Sequence, residues 1–281
     1  MLLSAVIKCS PVNEAILPAV TSGFVNAWFL QLVKSLSEEK ATAIHDSQRA
    51  KPYSVSPLRG RFYSAKPAYN KYQPTEEYFF RITSIEPALS TLIITKLHSL
   101  AGTNFFIEKN EFRITEIIMD SAGHQLAGTS SYEQLYNKYL IRQEDIYNSV
   151  RVYYQSPTFF KNGDTSMLLP NPETVFMSII EKWNTFHNNM LDPVNMKDWI
   201  RENLRIKAYD LRTRMWNFVR FGYAGFTGYV EYEDLCKSQS FERAVINMLW
   251  QYSFYSQTGA KTALGMGQTA LQPLSIQDFR T

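Results

Sequence analysis

Apolar residues alternate along positions 2–9, with Leu3, Ala5, Ile7 and Cys9 on one side, and predict a strand that Pro11 and Asn13 end. Over 14–36, Leu17, Val20, Phe24, Trp28 and Leu32 recur at spacings of three and four. That predicts an amphipathic helix with Pro18 in its first turn. A polar helix-like stretch runs on to His45. Residues 53–63 and 77–86 read as strands, and 87–100 as a helix carrying Leu89, Leu92, Ile93, Leu97 and Leu100. Strand patterns follow at 104–108 and 111–119. The order strand, helix, strand, strand, helix, strand is that of the split βαβ, or ferredoxin-like, unit.

The second half repeats this order loosely. Val150–Tyr154 is a strand, and 172–187 a helix built on Val175, Phe176, Ile179, Ile180 and Trp183. Residues 205–219 and 226–233 are strands with Gly222 and Gly225 between them. A helix over 240–256, a glycine-containing segment and a short strand complete the pattern. The predicted fold is α+β, with two tandem ferredoxin-like (βαββαβ, RAMP/RRM-like) domains over 1–145 and 146–281. No exact sequence repeat accompanies the duplication.

Composition narrows the class. The chain has 281 residues, 45% hydrophobic and 20% charged, which is the globular range and excludes disordered and fibrous chains. Its 29 basic and 26 acidic residues leave a net charge of +3. A nucleic-acid role must therefore come from where the charges sit rather than from their sum. The 17 Tyr and 18 Phe fit either an aromatic core or stacking surfaces for bases. Two cysteines, Cys9 and Cys236, cannot build a disulfide framework or a cysteine-based zinc site. The four histidines His45, His98, His124 and His187 lie at no metal-ligand spacing. No dedicated metal site and no cofactor is expected, although carboxylates could still hold a magnesium ion. Lys8 interrupts the first apolar run, which is a poor signal peptide, and no run approaches about 18 apolar residues. The expectation is a soluble, reduced, cytoplasmic protein that does not engage a membrane.

The charges cluster. From Arg49 to Tyr72 there is no acidic residue, while Arg49, Lys51, Arg59, Arg61, Lys66 and Lys71 alternate with Tyr53, Phe62, Tyr63, Tyr69 and Tyr72. Cations neutralise phosphates and rings stack on unpaired bases, so this mixture suits single-stranded RNA; it equally suits a solvated loop and strand face. Arg59 and Arg61 are its substrate-binding candidates. Arg201–Arg220 carries six basic residues against Glu202 and Asp210, and Arg243–Gln277 has no acid. Acidic stretches such as Glu133–Asp145 offset them.

The strongest local signal is Gly259-Ala-Lys-Thr-Ala-Leu-Gly-Met-Gly-Gln268. Glycines let backbone amides approach a phosphate, and Lys261 and Thr262 add a charge and a hydroxyl. The segment lacks the upstream glycine of a Walker A loop. It also follows a helix and enters a strand, the reverse of a dinucleotide fingerprint. Gly259, Lys261, Thr262, Gly265 and Gly267 are its binding candidates.

This segment resembles the signature glycine-rich loop of the CRISPR-associated endoribonucleases that cut the repeats of precursor CRISPR RNA, within the RAMP superfamily. Phe226-Thr-Gly-Tyr-Val-Glu231 is similar to the strand before that loop. Leu17-Pro18, Ile44-His45-Asp46, Lys51-Pro-Tyr-Ser-Val-Ser-Pro-Leu58, Ser156-Pro-Thr-Phe-Phe160, Leu169-Pro-Asn-Pro-Glu-Thr-Val-Phe176 and Trp183-Asn184 match in family order. The resemblance implies two ferredoxin-like domains, the first with the catalytic histidine and the second with the loop. It implies metal-independent cleavage of repeat RNA, in which the 2′-hydroxyl attacks the adjacent phosphate to leave 2′,3′-cyclic phosphate and 5′-hydroxyl ends. By motif, His45 is general base or general acid and Lys51 stabilises the charged transition state. Some members place a tyrosine about fifteen residues before the histidine; here that stretch is Trp28-Phe-Leu30. The third role is then unfilled, with Tyr53, Ser54 and Ser56 as stand-ins. The implied partners are CRISPR repeat RNA and an effector complex. Whether the chain works alone, as a homodimer or inside such a complex stays open. The alternative is a catalytically inactive subunit that holds repeat or guide RNA; a nucleotide-binding or metal-dependent enzyme is the weaker third class.

Overall fold

The first strand, β1 (Leu2–Pro11), is apolar on both faces, and the molecule is arranged around it. Leu3, Ala5, Ile7 and Cys9 enter one core, while Leu2 and Val6 enter another. Lys8, paired with Glu77 and Glu116, marks where the second of these faces reaches solvent. The structure, a computed structural model, describes residues 1–47, 50–188, 191–219 and 221–273, and of His45 and Asn162 the backbone alone. Arg49, Arg220 and the end of the third basic stretch lie outside the described residues.

After β1 come β2 (Ala15–Pro18), α1 (Ser22–Leu36), α2 (Glu38–Asp46), β3 (Tyr53–Val55), β4 (Arg59–Gly60), β5 (Tyr63–Lys66), β6 (Tyr69–Tyr72) and β7 (Tyr78–Ser84). Then follow α3 (Pro87–Leu97), β8 (Asn104–Ile107), β9 (Asn110–Ile118), β10 (Gly128–Ser130), α4 (Tyr132–Tyr136) and a π turn at Asn137–Ile141. The second half holds β11 (Ser149–Thr158), β12 (Phe160–Asn162), β13 (Thr165–Met167), α5 (Pro172–Phe186), α6 (Pro193–Asn203), β14 (Leu204–Asn217), β15 (Gly222–Asp234), α7 (Phe241–Ser256), a 3-10 turn at Thr262–Leu264 and β16 (Thr269–Ala270).

The antiparallel order of the first sheet is β3-β7-β1-β9, extended by β8. That of the second is β14-β15-β11-β16. Counted within its own unit, each sheet places its second strand beside the third, then the first, then the fourth. Two ferredoxin-like units therefore follow one another, as the element order predicts. In the first, α1 and α3 cover the Leu3–Cys9 face of β1 with Val25, Phe29, Val33, Leu89 and Ile93. In the second, α5 and α7 cover β11 with Val175, Ile179, Trp183, Val245 and Leu249. The Leu2–Val6 face of the first sheet packs into that second core, so one core spans both units. Among the described residues, no helix is long and apolar enough to cross a membrane.

A buried arginine crosses this seam. Arg81 of β7 is 1% exposed and faces the second unit. Its guanidinium donates to Ser4 Oγ at 2.7 Å, Thr269 O at 2.9 Å and Phe254 O at 2.6 Å, and lies over the Phe254 ring. Burial, with Arg59 nearby, lowers its pKa to about 9. Ser22 Oγ adds a bond to Leu264 O at 2.6 Å, and Gln268 Nε2 bonds to Ser54 Oγ and Val55 O.

The first helix is shorter than its periodicity predicts. Residues 15–18 are strand, paired with β6 from Ala15–Tyr72 to Pro18–Tyr69. Bonds to a partner some fifty residues away outweigh the local helical spacing, and Pro18 sits at the strand's end, where its missing N–H costs little. Helix α1 begins at Ser22 and buries Val25, Phe29, Leu32 and Val33, leaving Phe24 and Trp28 half-buried beside the core. The predicted strand over 53–63 is broken around Pro57 into β3 and β4. Gly222 and Gly225 lie inside β15 rather than between strands. The pattern reading missed β12, β13 and α4, which are short, and also α6, an amphipathic helix that buries Met196 and Ile200.

Replacing Arg81 with Met should remove three buried hydrogen bonds from a charged donor and cost at least about 3 kcal/mol. Urea unfolding measures this directly; an unchanged midpoint would show that the seam does not depend on the guanidinium.

Candidate functional site

Three segments far apart in sequence meet at a cleft of about 1220 Å³ on the seam between the units. One wall is the end of α2 with Lys51 and Tyr53; a second is α5; the third is the glycine segment from Gly259 to Leu264. Phe160, Lys161 and Met167 of the β12–β13 hairpin complete the lining.

Lys51 caps α2. Its Nζ donates to Ile44 O at 2.6 Å and Ser47 O at 2.9 Å, carbonyls on either side of His45. A cation at the C-terminus of a helix meets the negative end of its dipole and satisfies carbonyls that the helix leaves unbonded. His45 lies in the last turn of α2. Ser37 caps the other end, accepting from Lys40 N at 3.2 Å.

The glycine segment leaves α7 and enters β16, as its sequence position predicts. Gly259, Lys261, Gly265 and Gly267 all have positive φ. At Gly267, with φ +67°, an added Cβ would stand 1.8 Å from Thr258 O. At Gly265, with φ +84°, it would stand 2.5 Å from Ser22 Cβ in α1. Glycine is required at both positions for backbone conformation and for space. Much of the loop's polar backbone is already engaged. Ala260 N bonds to Phe159 O, Gly267 N to Pro157 O, and Leu264 N, Gly265 N and Met266 N bond within the turn. Gln268 N bonds to Ser156 Oγ. The expectation that amides from 259 to 267 face a phosphate therefore narrows to the exposed turn around Lys261. The Lys261 side chain is exposed and leans over the Tyr223 ring at 5.9 Å, whereas Thr262 is 6% exposed.

The sequence-derived candidates separate. Lys51, Gly259, Lys261 and Thr262 line the cleft; Gly265 and Gly267 shape the loop from behind. Arg59 and Arg61 do not line it. Arg59 is 3% exposed and donates to Gln155 O at 3.3 Å, so as folded it is an interior seam residue rather than a surface cation. Arg61 is exposed, beside Glu76 at 3.8 Å and over the Tyr63 ring. Tyr53 borders the cleft, but its hydroxyl is bonded to Asn26 Oδ1 at 2.7 Å and burial raises its pKa. Ser54 is held by Thr83 and Gln268, and Ser56 by Pro57 O and the Arg81 amide. Both serines belong to the seam. His98 follows α3, and His124 and His187 pack against Phe79 and Tyr132. Among the described residues, no three His, Cys, Asp or Glu side chains gather to hold a metal ion.

Sequence reasoning missed Lys182 on α5. It is 6% exposed, lines the cleft, and donates to Ser256 O and Gln257 O, both at 2.9 Å. The available signal was a lysine in register with the buried stripe Val175, Ile179 and Trp183. The cleft carries Lys51, Lys161, Lys182 and Lys261 against Asp46, Glu173 and Glu181. Glu173 is already bonded to Arg201, with Lys197 beside it, which lowers its pKa.

Comparison with known proteins places the two units. A family profile described as the Cas6 N-terminal domain matches residues 3–118, and one described as CRISPR-associated endoribonuclease Cas6 matches 152–269. The chain belongs to the Cas6 family. A Cas6 endoribonuclease of Streptococcus thermophilus is 25% identical over 122 residues, 43% of this chain and 49% of the relative. One of Mycobacterium tuberculosis is 24% identical over 128 residues, 46% of this chain and 40% of the relative. The matches thus span half or less of each relative. Among solved structures, a Cas6 product complex superposes with TM-score 0.77 at 22% identity, covering 96% of this chain and 99% of that one. Thermus thermophilus Cas6 gives TM-score 0.70 at 22% identity, covering 96% and 98%. At such identity the likeness shows the fold, two ferredoxin-like units across the whole chain.

Gly267→Ala should lower the melting temperature well beyond Gly163→Ala, since Gly163 also has positive φ but no atom within 4 Å of an added Cβ. The second change costs about 1–2 kcal/mol from backbone strain alone. Equal melting temperatures would mean that the loop yields at Thr258.

Proposed function

We propose that the protein is an endoribonuclease that cuts CRISPR repeat RNA in precursor transcripts, without a metal ion. The observation that carries this reading is the Lys51 ammonium, bonded to the carbonyls flanking His45, in a cleft that the glycine segment also lines. Family membership and relatives that are endoribonucleases support it.

The reaction follows from what a 2′-hydroxyl needs. A base removes its proton, the oxygen attacks the adjacent phosphorus, and the 5′ oxygen leaves after taking a proton. The products carry a 2′,3′-cyclic phosphate and a 5′-hydroxyl. His45 performs one proton transfer, because an imidazole titrates near neutral pH. Lys51 lies one helical end away and offsets the charge of the phosphorane. The exposed turn at Lys261 holds a phosphate of the strand, and Lys161 lines the same cleft. The division into units at about residue 145 places the histidine in the first and the loop in the second, so the substrate strand bridges both.

A second reading, an RNA-holding subunit that does not cut, is favoured by one observation. No tyrosine stands where some members carry one, and the Tyr53 hydroxyl is engaged with Asn26. The two readings part on a single assay. End-labelled CRISPR repeat RNA should give one discrete cut that survives EDTA and disappears with a 2′-deoxy nucleotide at the cut. His45→Ala should slow that cut by about 10²- to 10⁴-fold while leaving binding largely intact. Binding without a cut would support the holding subunit, and a cut abolished by EDTA would overturn the metal-independent mechanism.

A further inference from the structure

The buried lysine on α5 has no part in the reaction as proposed, yet it touches the root of the glycine segment. Helix α7 ends at Ser256, and its last carbonyls have no partner within the helix. Lys182 Nζ takes two oxygens there, Ser256 O and Gln257 O, each at 2.9 Å. The chain then turns sharply: Gln257 has φ +57°, and its side chain bonds back to Phe254 O and forward to Thr269 N. Two residues later the segment begins, with Thr258 N bonded to Gly267 O across its neck.

Lys182 is an expensive residue to bury at this point. Its hydrogen bonds go to neutral carbonyls; Glu181 acts on it only through charge, and burial lowers its pKa to about 7. An apolar side chain on the stripe of Val175, Ile179 and Trp183 would pack without that desolvation cost. A methionine there would, however, take the ammonium from Ser256 O and leave Gln257 O with the Ser256 hydroxyl beneath the loop.

We propose that Lys182 is a positioning residue: its ammonium ties α5 to the carbonyl end of α7 and thereby holds the glycine segment in the shape that receives a phosphate of the bound RNA. The use of that shape rests on the repeat-RNA reading above; the tie itself does not. Lys182 is not a catalytic residue, since it acts through the loop.

Two measurements on the full-length chain test the proposal. The first needs no RNA. In Lys182→Met, the amides of Ala260, Gly265 and Gly267 should exchange with solvent at least about tenfold faster, because bonds to a charged donor are lost at the loop's root. The amides of β1 and β7 should keep their protection. Unchanged loop exchange, or equal loss across both units, would overturn the proposal and make Lys182 an ordinary core residue. The second uses synthetic CRISPR repeat RNA from the genome that encodes the chain. KM should rise by about tenfold or more with kcat at saturating RNA retained. A variant that merely unfolds in part would lose kcat at constant KM, and that outcome would also overturn the proposal. If the unaltered protein neither binds nor cuts the repeat, the repeat-RNA reading fails while the exchange measurement still decides the role of Lys182.

Discussion

The two halves of this chain are one molecule because a sheet in the first is apolar over part of both faces. Its inner side is covered by α1 and α3, and the Leu2–Val6 part of its outer side by α7 and the core of the second unit, while Lys8, Glu77 and Glu116 meet solvent beyond it. Arg81 stands at the centre of that outer side, where a charge has no water. It is tolerated because its donors reach Ser4, Thr269 and Phe254, and because the Phe254 ring lies against it. Two of these acceptors are backbone carbonyls of the second unit, so the arginine is satisfied only when the units are correctly docked. An apolar contact would hold the units together in many registers; this one specifies a single register.

That register makes the cleft. It brings the end of α2 and Lys51 from the first unit into one cleft with the glycine segment of the second. Ser22 and Gln268 fasten the loop to α1 and β3 from behind, and Lys182 fastens its root. The glycines then serve close packing as much as ligand approach. Gly265 and Gly267 are required by Ser22 and Thr258, atoms of the protein itself, while the turn around Lys261 is left to face the cleft. A loop held this firmly loses little entropy on binding an anion, which is the advantage of preorganisation.

The regular elements were legible because their signals are local. The alternation at 2–9, the stripes at 87–100, 172–187 and 240–256, and the glycine segment between helix and strand all stand where the sequence puts them. Lys51 and the glycine segment could be paired across some two hundred residues only through resemblance to a family, since nothing in composition or spacing joins them. One segment and three residues show why the rest was hidden. Residues 15–18 carry a helical spacing yet form a strand, because β6 offers hydrogen bonds that a local pattern cannot reveal. Arg59 belongs by composition to a basic surface stretch, yet it lies inside the seam. Lys182 and Arg81 interrupt apolar patterns, which marks them as unusual without saying which carbonyls they meet.

The sequence by itself determined the two ferredoxin-like units, their order and the one segment where glycine outweighs side-chain chemistry. These follow from periodicity and from the backbone freedom of glycine, which are properties of neighbours along the chain. The tertiary structure alone decided which cations face the cleft and which are buried, and which amides remain for a ligand. A charge or a hydrogen-bonding group is defined by what surrounds it, and at the seam those surroundings come from the other half of the molecule.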